Sequence, residues 1–166
     1  MDPVSATTTI DAPREHVYEL LCDLSVRPAF CDHFIEEFRL ERLDPVGVGA
    51  AARFRVREPR QWMETVIEVA ERPHLVRERG RGGRLNRVPS FTVWELDGTA
   101  WQASCEVTLT FWTEPANPLD RAKELRGAKR KFRRNWTRAL ERLRDLAESE
   151  RAPDRVEVAG VVRHAL

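Results

Sequence analysis

The chain has 166 residues, the length of a single domain with a substantial core. Its 28 Lys and Arg residues balance 27 Asp and Glu residues, so no global electrostatic field draws the whole protein to nucleic acid or to an anionic membrane, and any such attraction has to be local. Hydrophobic residues at 42% exclude disorder throughout the chain, and five Trp and seven Phe residues supply large side chains for a core or a cavity.

The sequence favours a cytoplasmic protein without a disulfide framework. The first residues lack the basic and then apolar stretch of a secretory signal, and no run of about 18 apolar residues occurs. The cysteines Cys22, Cys31 and Cys105 are odd in number and widely spaced, which predicts buried free thiols. We expect no metal site and no cofactor, because the Cys and His spacing matches no paired-ligand pattern and phosphate-binding fingerprints are missing.

The first part of the chain predicts a strand followed by two short helices. Thr, Val and Ile residues favour a strand from Val4 to Asp11. A helix is expected from Pro13 to Leu24, and a second short helix from Arg27 to His33. The first of these helices is expected to bury Val17, Leu20, Leu21 and Leu24.

The middle of the chain predicts five or six strands separated by turns rich in Gly, Pro and Asp. The segment from Ala52 to Arg57 alternates apolar and charged residues, as a sheet with one dry and one wet face requires. The segment from Trp101 to Phe111 alternates most clearly. If Asp97-Gly98 forms a two-residue hairpin turn, Trp94 lies opposite Trp101 on the dry, concave face.

A long amphipathic helix is predicted towards the end of the chain. After the proline-containing loop from Glu114 to Leu119, Gly127 alone interrupts a long stretch free of glycine and proline. The Val156-Glu157-Val158 run beyond this helix predicts either an edge strand or a mobile tail. We therefore expect one domain over residues 1–150 and a tail over residues 151–166. The apolar stripe of the helix consists of Phe132, Trp136, Ala139, Leu140, Leu143 and Leu146.

Two stretches of sequence, together with the order of the predicted elements, are typical of a known family. Ile10-Asp11-Ala12-Pro13 leads into the helix that contains Val17 to Asp23, and an amphipathic segment runs from Trp136 to Glu148. Over about residues 4–149 the chain resembles the START and Bet v 1-like (SRPBCC) superfamily, in particular its bacterial polyketide cyclase and lipid-transport-like branch. The resemblance implies an α+β helix-grip fold: a curved antiparallel sheet around a long C-terminal helix, with two short helices near the N-terminus.

The resemblance also implies a cavity between the sheet and the final helix, suited to fatty, aromatic, polyketide or isoprenoid molecules. Close packing of the same side chains would instead fill that space, so each candidate is either a ligand contact or core. The candidates for the cavity lining are Phe38, Phe54, Val56, Ile67, Trp94, Trp101, Val107, Leu109, Phe132 and Trp136. The candidates for the cavity mouth are Tyr18, Phe30, His33, Phe34 and Glu36.

The leading hypothesis is a carrier or sensor that encloses a small hydrophobic ligand such as a lipid, polyketide or isoprenoid. The alternative is a cyclase- or dehydratase-like enzyme acting on a polyketide or aromatic precursor. An enzyme needs ionisable groups inside the cavity. The alternation predicts an almost wholly apolar lining, which favours binding, and we assign no catalytic residue.

Two basic clusters, Arg77 to Arg84 and Lys129 to Arg134, support a third hypothesis, an interaction module. Either cluster could contact phosphates or acidic lipid head groups. The first cluster equally suits a flexible hairpin loop, and the second a solvated helix face. We therefore expect no nucleic-acid partner, allow a transient contact with a membrane surface, and leave the oligomeric state open.

Overall fold

The computed structural model describes residues 1–58, 60–83, 87–98, 103–115, 127–149 and 151–157. These residues form a seven-stranded curved antiparallel sheet with short helices and one long helix, which confirms the predicted α+β helix-grip fold. In chain order the elements are β1 (Val4–Ile10), α1 (Arg14–Cys22), a 3₁₀ turn (Leu24–Val26), α2 (Arg27–Cys31), β2 (Ile35–Leu40), β3 (Ala51–Val56), β4 (Gln61–Glu71), β5 (Leu75–Gly82), β6 (Val88–Asp97), β7 (Cys105–Thr113) and α3 (Ala128–Ala147).

The sheet is a meander with the first strand added at one edge. Its order is β1-β7-β6-β5-β4-β3-β2, and every pair of neighbours is antiparallel. Because β1 and β2 lie at opposite edges, α1 and α2 carry the chain across the sheet from one edge to the other. This crossing places the two short helices over the same face as α3, where their buried side chains share one hydrophobic core.

Strand β5 shows how alternation sorts side chains onto the two faces of the sheet. Its buried inner positions are Val76, Glu78, Gly80 and Gly82. Its exposed outer positions are Arg77, Arg79 and Arg81. Gly80 permits close approach of the neighbouring strand, since a Cβ atom there would lie 2.2 Å from the backbone oxygen of Glu64.

The predicted two-residue turn at Asp97-Gly98 is wrong. Asp97 pairs with Glu106, so the connection between β6 and β7 spans residues 98 to 104. Trp94 pairs with Leu109, and Trp101 lies outside the described residues. The observed register differs from the predicted one by eight residues, from 101 to 109 opposite Trp94. Because this number is even, Trp94 stays on the predicted inner face.

Helices α1 and α2 lie within the predicted segments and are shorter than them, and the predicted long final helix is present as α3. Helix α1 begins after Pro13, and the Asp23 side chain then accepts a 2.9 Å hydrogen bond from the Ser25 backbone N–H to start the 3₁₀ turn. Helix α3 begins after Gly127, whose φ of 93° is easily adopted by glycine. The buried residues of α3 are Phe132, Trp136, Ala139, Leu140, Leu143 and Ala147. In the part of the chain that the structure describes, no helix is long and apolar enough to span a membrane.

The segment after α3 returns towards the 3₁₀ turn. The Val156 backbone N–H donates a 3.0 Å hydrogen bond to the Ser25 carbonyl, and an Arg155 guanidinium nitrogen lies 3.3 Å from an Asp23 carboxylate oxygen. Residues 151–157 contain no strand, and Val158 of the proposed edge strand lies outside the described residues.

Candidate functional site

A buried ion pair joins helix α2 to the middle of the sheet. Arg27 opens α2, and Glu78 lies on the inner face of β5. A guanidinium nitrogen of Arg27 is 2.7 Å from Glu78 Oε1, and the two residues are only 4% and 2% exposed. Charged side chains are rarely buried to this extent unless they are paired.

Further donors and aromatic rings hold this pair in place. Glu78 Oε1 also accepts a 2.8 Å hydrogen bond from Trp94 Nε1, and Oε2 accepts one of 2.8 Å from the Thr65 hydroxyl. The Arg27 guanidinium lies 5.5 Å from the ring centre of Phe30 and 5.1 Å from that of Trp94. The carboxylate therefore has three donors, and the cation lies against two aromatic rings.

A narrow void lies between this ion pair and helix α3. The volume of the void is about 30 Å³, which is room for about two water molecules. A larger molecule therefore needs the lining side chains or α3 to move apart. The lining consists of Arg27, Cys31, Phe34, Ile35, Phe54, Val56, Met63, Glu64, Thr65, Glu78, Ser90, Thr92, Phe111, Phe132 and Trp136.

Trp136 connects helix α3 to the rest of this site through contacts with three other aromatic residues. Its ring centre lies 5.1 Å from that of Phe34, 5.8 Å from that of Trp94 and 5.7 Å from that of Phe111. The indole is 7% exposed, and its buried Nε1 has no hydrogen-bond acceptor among the described residues. Trp136 thus combines apolar packing with an unused donor.

The structure brings part of the predicted cavity lining to the void. The candidates on the lining are Phe54, Val56, Phe132 and Trp136, together with Phe34 from the predicted mouth. The candidates that are buried in the core but not on the lining are Ile67, Trp94, Val107 and Leu109. Phe38 is half-buried and stacks on Phe54, with the ring centres 6.1 Å apart. Trp101 lies outside the described residues.

The other residues predicted at the mouth are not on the lining of the void. Tyr18 is buried on α1, where burial and a hydrogen bond with Cys22 raise the pKa of its phenol. Phe30 is buried edge-on against Trp94. His33 Nε2 donates a 3.0 Å hydrogen bond to the Asn135 carbonyl of α3, and burial lowers the pKa of its imidazole. Glu36 pairs with Arg55 at 2.8 Å.

The polar part of the site was not predicted. The sequence predicted an almost wholly apolar lining and a basic cluster over residues 77–84, whereas Glu78 within that cluster lies on the inner face of the sheet. The signal was present, because Val76, Glu78 and Gly80 occupy alternate positions between exposed arginines. Arg27 gave no comparable signal, since its partner is 51 residues away.

The two basic clusters have different surroundings. On the outer face of the sheet, Arg77 and Arg79 lie 3.9 Å and 3.5 Å from carboxylate oxygens of Glu68. On α3, Lys129 pairs with Asp2 and Lys131 with Glu58, each at 3.1 Å. Within this second cluster, three exposed arginines pair with no acid in the described part of the chain, namely Arg130, Arg133 and Arg134.

The cysteines are buried free thiols, as predicted. Burial raises the pKa of Cys31 to about 12 and also raises the pKa of Cys22 and of Cys105. Thiols in such surroundings react slowly because the thiolate is the nucleophile. Within the residues described above, no three His, Cys, Asp or Glu side chains are grouped to hold a metal ion.

Several solved structures share this arrangement of sheet and helices. A START superfamily protein from Mycobacterium smegmatis has a TM-score of 0.60 and 14% identity, over 84% of this chain and 94% of that chain. A protein from Thermus thermophilus has a TM-score of 0.64 and 19% identity, over 86% and 94%. Truncated norcoclaurine synthase from Thalictrum flavum has a TM-score of 0.66 and 10% identity, over 90% and 95%. At these identities the likeness shows the fold alone.

The sequence places the chain within this fold class more narrowly. The family model described as polyketide cyclase / dehydrase and lipid transport matches residues 1–148, so the chain belongs to that family. This result confirms the resemblance drawn from the opening strand and helix and from the closing helix. No curated protein is significantly similar to the chain in sequence.

Proposed function

We propose that the chain binds one small hydrophobic molecule, such as a lipid, polyketide or isoprenoid, between the sheet and α3, as a carrier or a sensor. The observation that carries the proposal is the void with aromatic walls, to which Phe34, Phe54, Phe111, Phe132 and Trp136 contribute. Burial of apolar surface against such walls drives binding. The family and the START-like fold support a role in binding a hydrophobic ligand or in cyclisation.

The first test extracts the purified protein under denaturing conditions and identifies released small molecules by mass spectrometry. Phe54→Arg places a cation on the wall of the void, and Phe91→Arg is its matched control because Phe91 stacks on Trp112 on the outer face. We expect an apolar compound from the wild type and from Phe91→Arg, but not from Phe54→Arg. Equal amounts from all three proteins would contradict the proposal, as would a wild type that releases nothing and binds no apolar probe.

The buried ion pair favours the enzyme as a second candidate function. Arg27 and Glu78 put ionisable groups on the lining, where a substrate would meet them, and general acid–base catalysis requires such groups. If the chain is a cyclase or dehydratase, it converts an aromatic polyketide precursor into a product detectable by liquid chromatography with mass spectrometry. Glu78→Gln should then abolish turnover, while Glu68→Gln on the outer face should not. Binding of the precursor without turnover by the wild type would exclude this candidate.

A further inference from the structure

Some polar groups around the void have hydrogen-bond partners and others have none. Glu78 already accepts hydrogen bonds from Arg27, Thr65 and Trp94. By contrast, two buried donors, Arg27 Nε and Trp136 Nε1, have no acceptor among the described residues. Both side chains line the void. The site therefore has two unpaired donors beside a carboxylate that already accepts three hydrogen bonds.

A buried N–H group without an acceptor is uncommon and costs free energy. Arg27 cannot turn its Nε towards an acceptor without leaving Glu78 and the faces of Phe30 and Trp94. Trp136 is similarly fixed by its contacts with Phe34, Trp94 and Phe111. No described residue therefore supplies an acceptor, and a bound molecule can supply one.

We infer that the ligand of this site is a hydrophobic molecule that carries a hydrogen-bond acceptor, a carbonyl or carboxylate oxygen, which the N–H groups of Trp136 and Arg27 bind. A pure hydrocarbon leaves both donors unused. An amine brings a further donor to a carboxylate that already has three. The inference rests on the proposed function and narrows it to one class of ligand.

The test compares two probes of similar shape by isothermal titration calorimetry: acetylnaphthalene, which has a carbonyl oxygen, and isopropylnaphthalene, which has a methyl group in its place. We expect the wild type to bind the ketone roughly fivefold more tightly. Trp136→Phe keeps an aromatic ring and removes the N–H, so it should reduce this preference. Trp112→Phe is the matched control, because Trp112 Nε1 donates to Glu114 at an exposed position.

The outcomes separate the inference from the proposed function. Equal affinity of the wild type for the two probes overturns the inference and leaves apolar binding intact. An undiminished preference in Trp136→Phe overturns the assignment to this indole. Binding of neither probe contradicts the proposed function itself. Should Trp136→Phe fail to fold, the wild-type comparison alone still decides the ligand class.

A second inference comes independently from the outer side of α3. Between Lys129 and Arg138 the helix carries six Lys and Arg residues and no Asp or Glu, in a chain whose net charge is only +1. Of these, Arg130, Arg133, Arg134 and Arg138 are exposed and form no ion pair in the described part of the chain. Arg133 and Arg134 follow Arg130 by three and four residues, and Arg138 follows Arg134 by four. This spacing places all four on one side of the helix.

We propose that this basic side of α3 docks on anionic lipid surfaces. The opposite side of the same helix carries Phe132 and Trp136 on the lining of the void, so docking brings the void to the source of an apolar ligand. The delivery of an apolar ligand to the void depends on the proposed function. The electrostatic attraction of the cations to acidic head groups does not depend on it.

The test is sedimentation with vesicles of phosphatidylcholine, alone or mixed with phosphatidylserine. We expect binding only to the mixed vesicles, lost at high salt, and reduced roughly tenfold or more in Arg130→Gln/Arg133→Gln/Arg134→Gln. The matched control, Arg77→Gln/Arg79→Gln/Arg81→Gln, makes the same charge change on the outer face of the sheet. An equal loss in the control, equal binding to both vesicles, or tighter binding to single-stranded RNA would overturn the proposal.

Discussion

Two ion pairs of this protein have the same length and opposite surroundings. Arg27 and Glu78 lie 2.7 Å apart with side chains that are 5% and 3% exposed. Arg72 and Glu19 also lie 2.7 Å apart, with side chains that are 61% and 58% exposed. Bulk water solvates either partner of the exposed pair when the other is removed, whereas the buried pair is shielded from bulk water. Distance alone therefore does not rank ion pairs, whereas burial and the remaining hydrogen bonds do.

Glu78→Ala should give the largest loss of stability. It leaves the Arg27 charge buried without its partner and removes the acceptor of Thr65 and Trp94. We expect the free energy of unfolding to fall by about 3–5 kcal/mol in urea denaturation. The double variant Arg27→Met/Glu78→Leu removes both charges and should be more stable than Glu78→Ala. A double variant that is no more stable would contradict the account of an unpaired buried charge.

Trp94→Phe tests one hydrogen bond within the buried pair. It removes the Nε1 donor to Glu78, while Arg27 and Thr65 still bind the carboxylate. Because the acceptor is charged and the indole is fully buried, we expect a loss of about 2 kcal/mol in the free energy of unfolding. Trp112→Phe on the outer face should cost less. Because Trp112 Nε1 also donates to a carboxylate, that of Glu114, equal losses in the two variants would show that burial does not raise the cost of losing such a hydrogen bond.

His33 is half-buried, so its exposure lies between that of the Arg27–Glu78 pair and that of the Arg72–Glu19 pair. Burial holds the pKa of its imidazole below the ordinary value of 6.5, so the unfolded chain takes up the proton first as the pH falls. The contribution of neutral His33 to the free energy of unfolding is therefore complete above pH 6.5 and is lost as the pH falls below 6.5. We expect His33→Gln to reduce the loss of unfolding free energy between about pH 7.5 and pH 5.5. An identical pH dependence in both proteins would exclude this role.

Glu19→Ala should have the smallest effect. The exposed Arg72 that it leaves behind is solvated by water. The free energy of unfolding should change by less than about 0.5 kcal/mol. A loss comparable to that of Glu78→Ala would remove the distinction between the two pairs.

The fold was predictable because its signals are local. The alternation in β3 and β7 and the helical stripe from Phe132 to Leu143 each depend on residues close together in sequence. The order of these elements then indicated the helix-grip fold. The register of β6 against β7 was not predictable in this way, because Asp97-Gly98 suits a tight turn while the strands pair with a longer connection. Trp94 nevertheless lies on the predicted face of the sheet, because the register differs from the predicted one by an even number of residues.

The candidate site was only partly predictable. The wall residues Phe54, Val56, Phe132 and Trp136 follow from which side of an element faces inwards. The ion pair does not, because Glu78 meets Arg27 through a contact between the sheet and a short helix that no local pattern encodes. The arginines that flank Glu78 led to the prediction of a basic cluster. The alternation of residues around Glu78 already indicated that its side chain faces inwards.

The 30 Å³ void also contributes to the response of the protein to hydrostatic pressure. Pressure favours the state of smaller volume, and unfolding eliminates internal voids. A molecule bound between the sheet and α3 would replace void with packed atoms, so the complex would lose less volume on unfolding and withstand higher pressure. Occupancy of the site would then be measurable, without a label and for a ligand of any structure, as a rise in the pressure midpoint of unfolding.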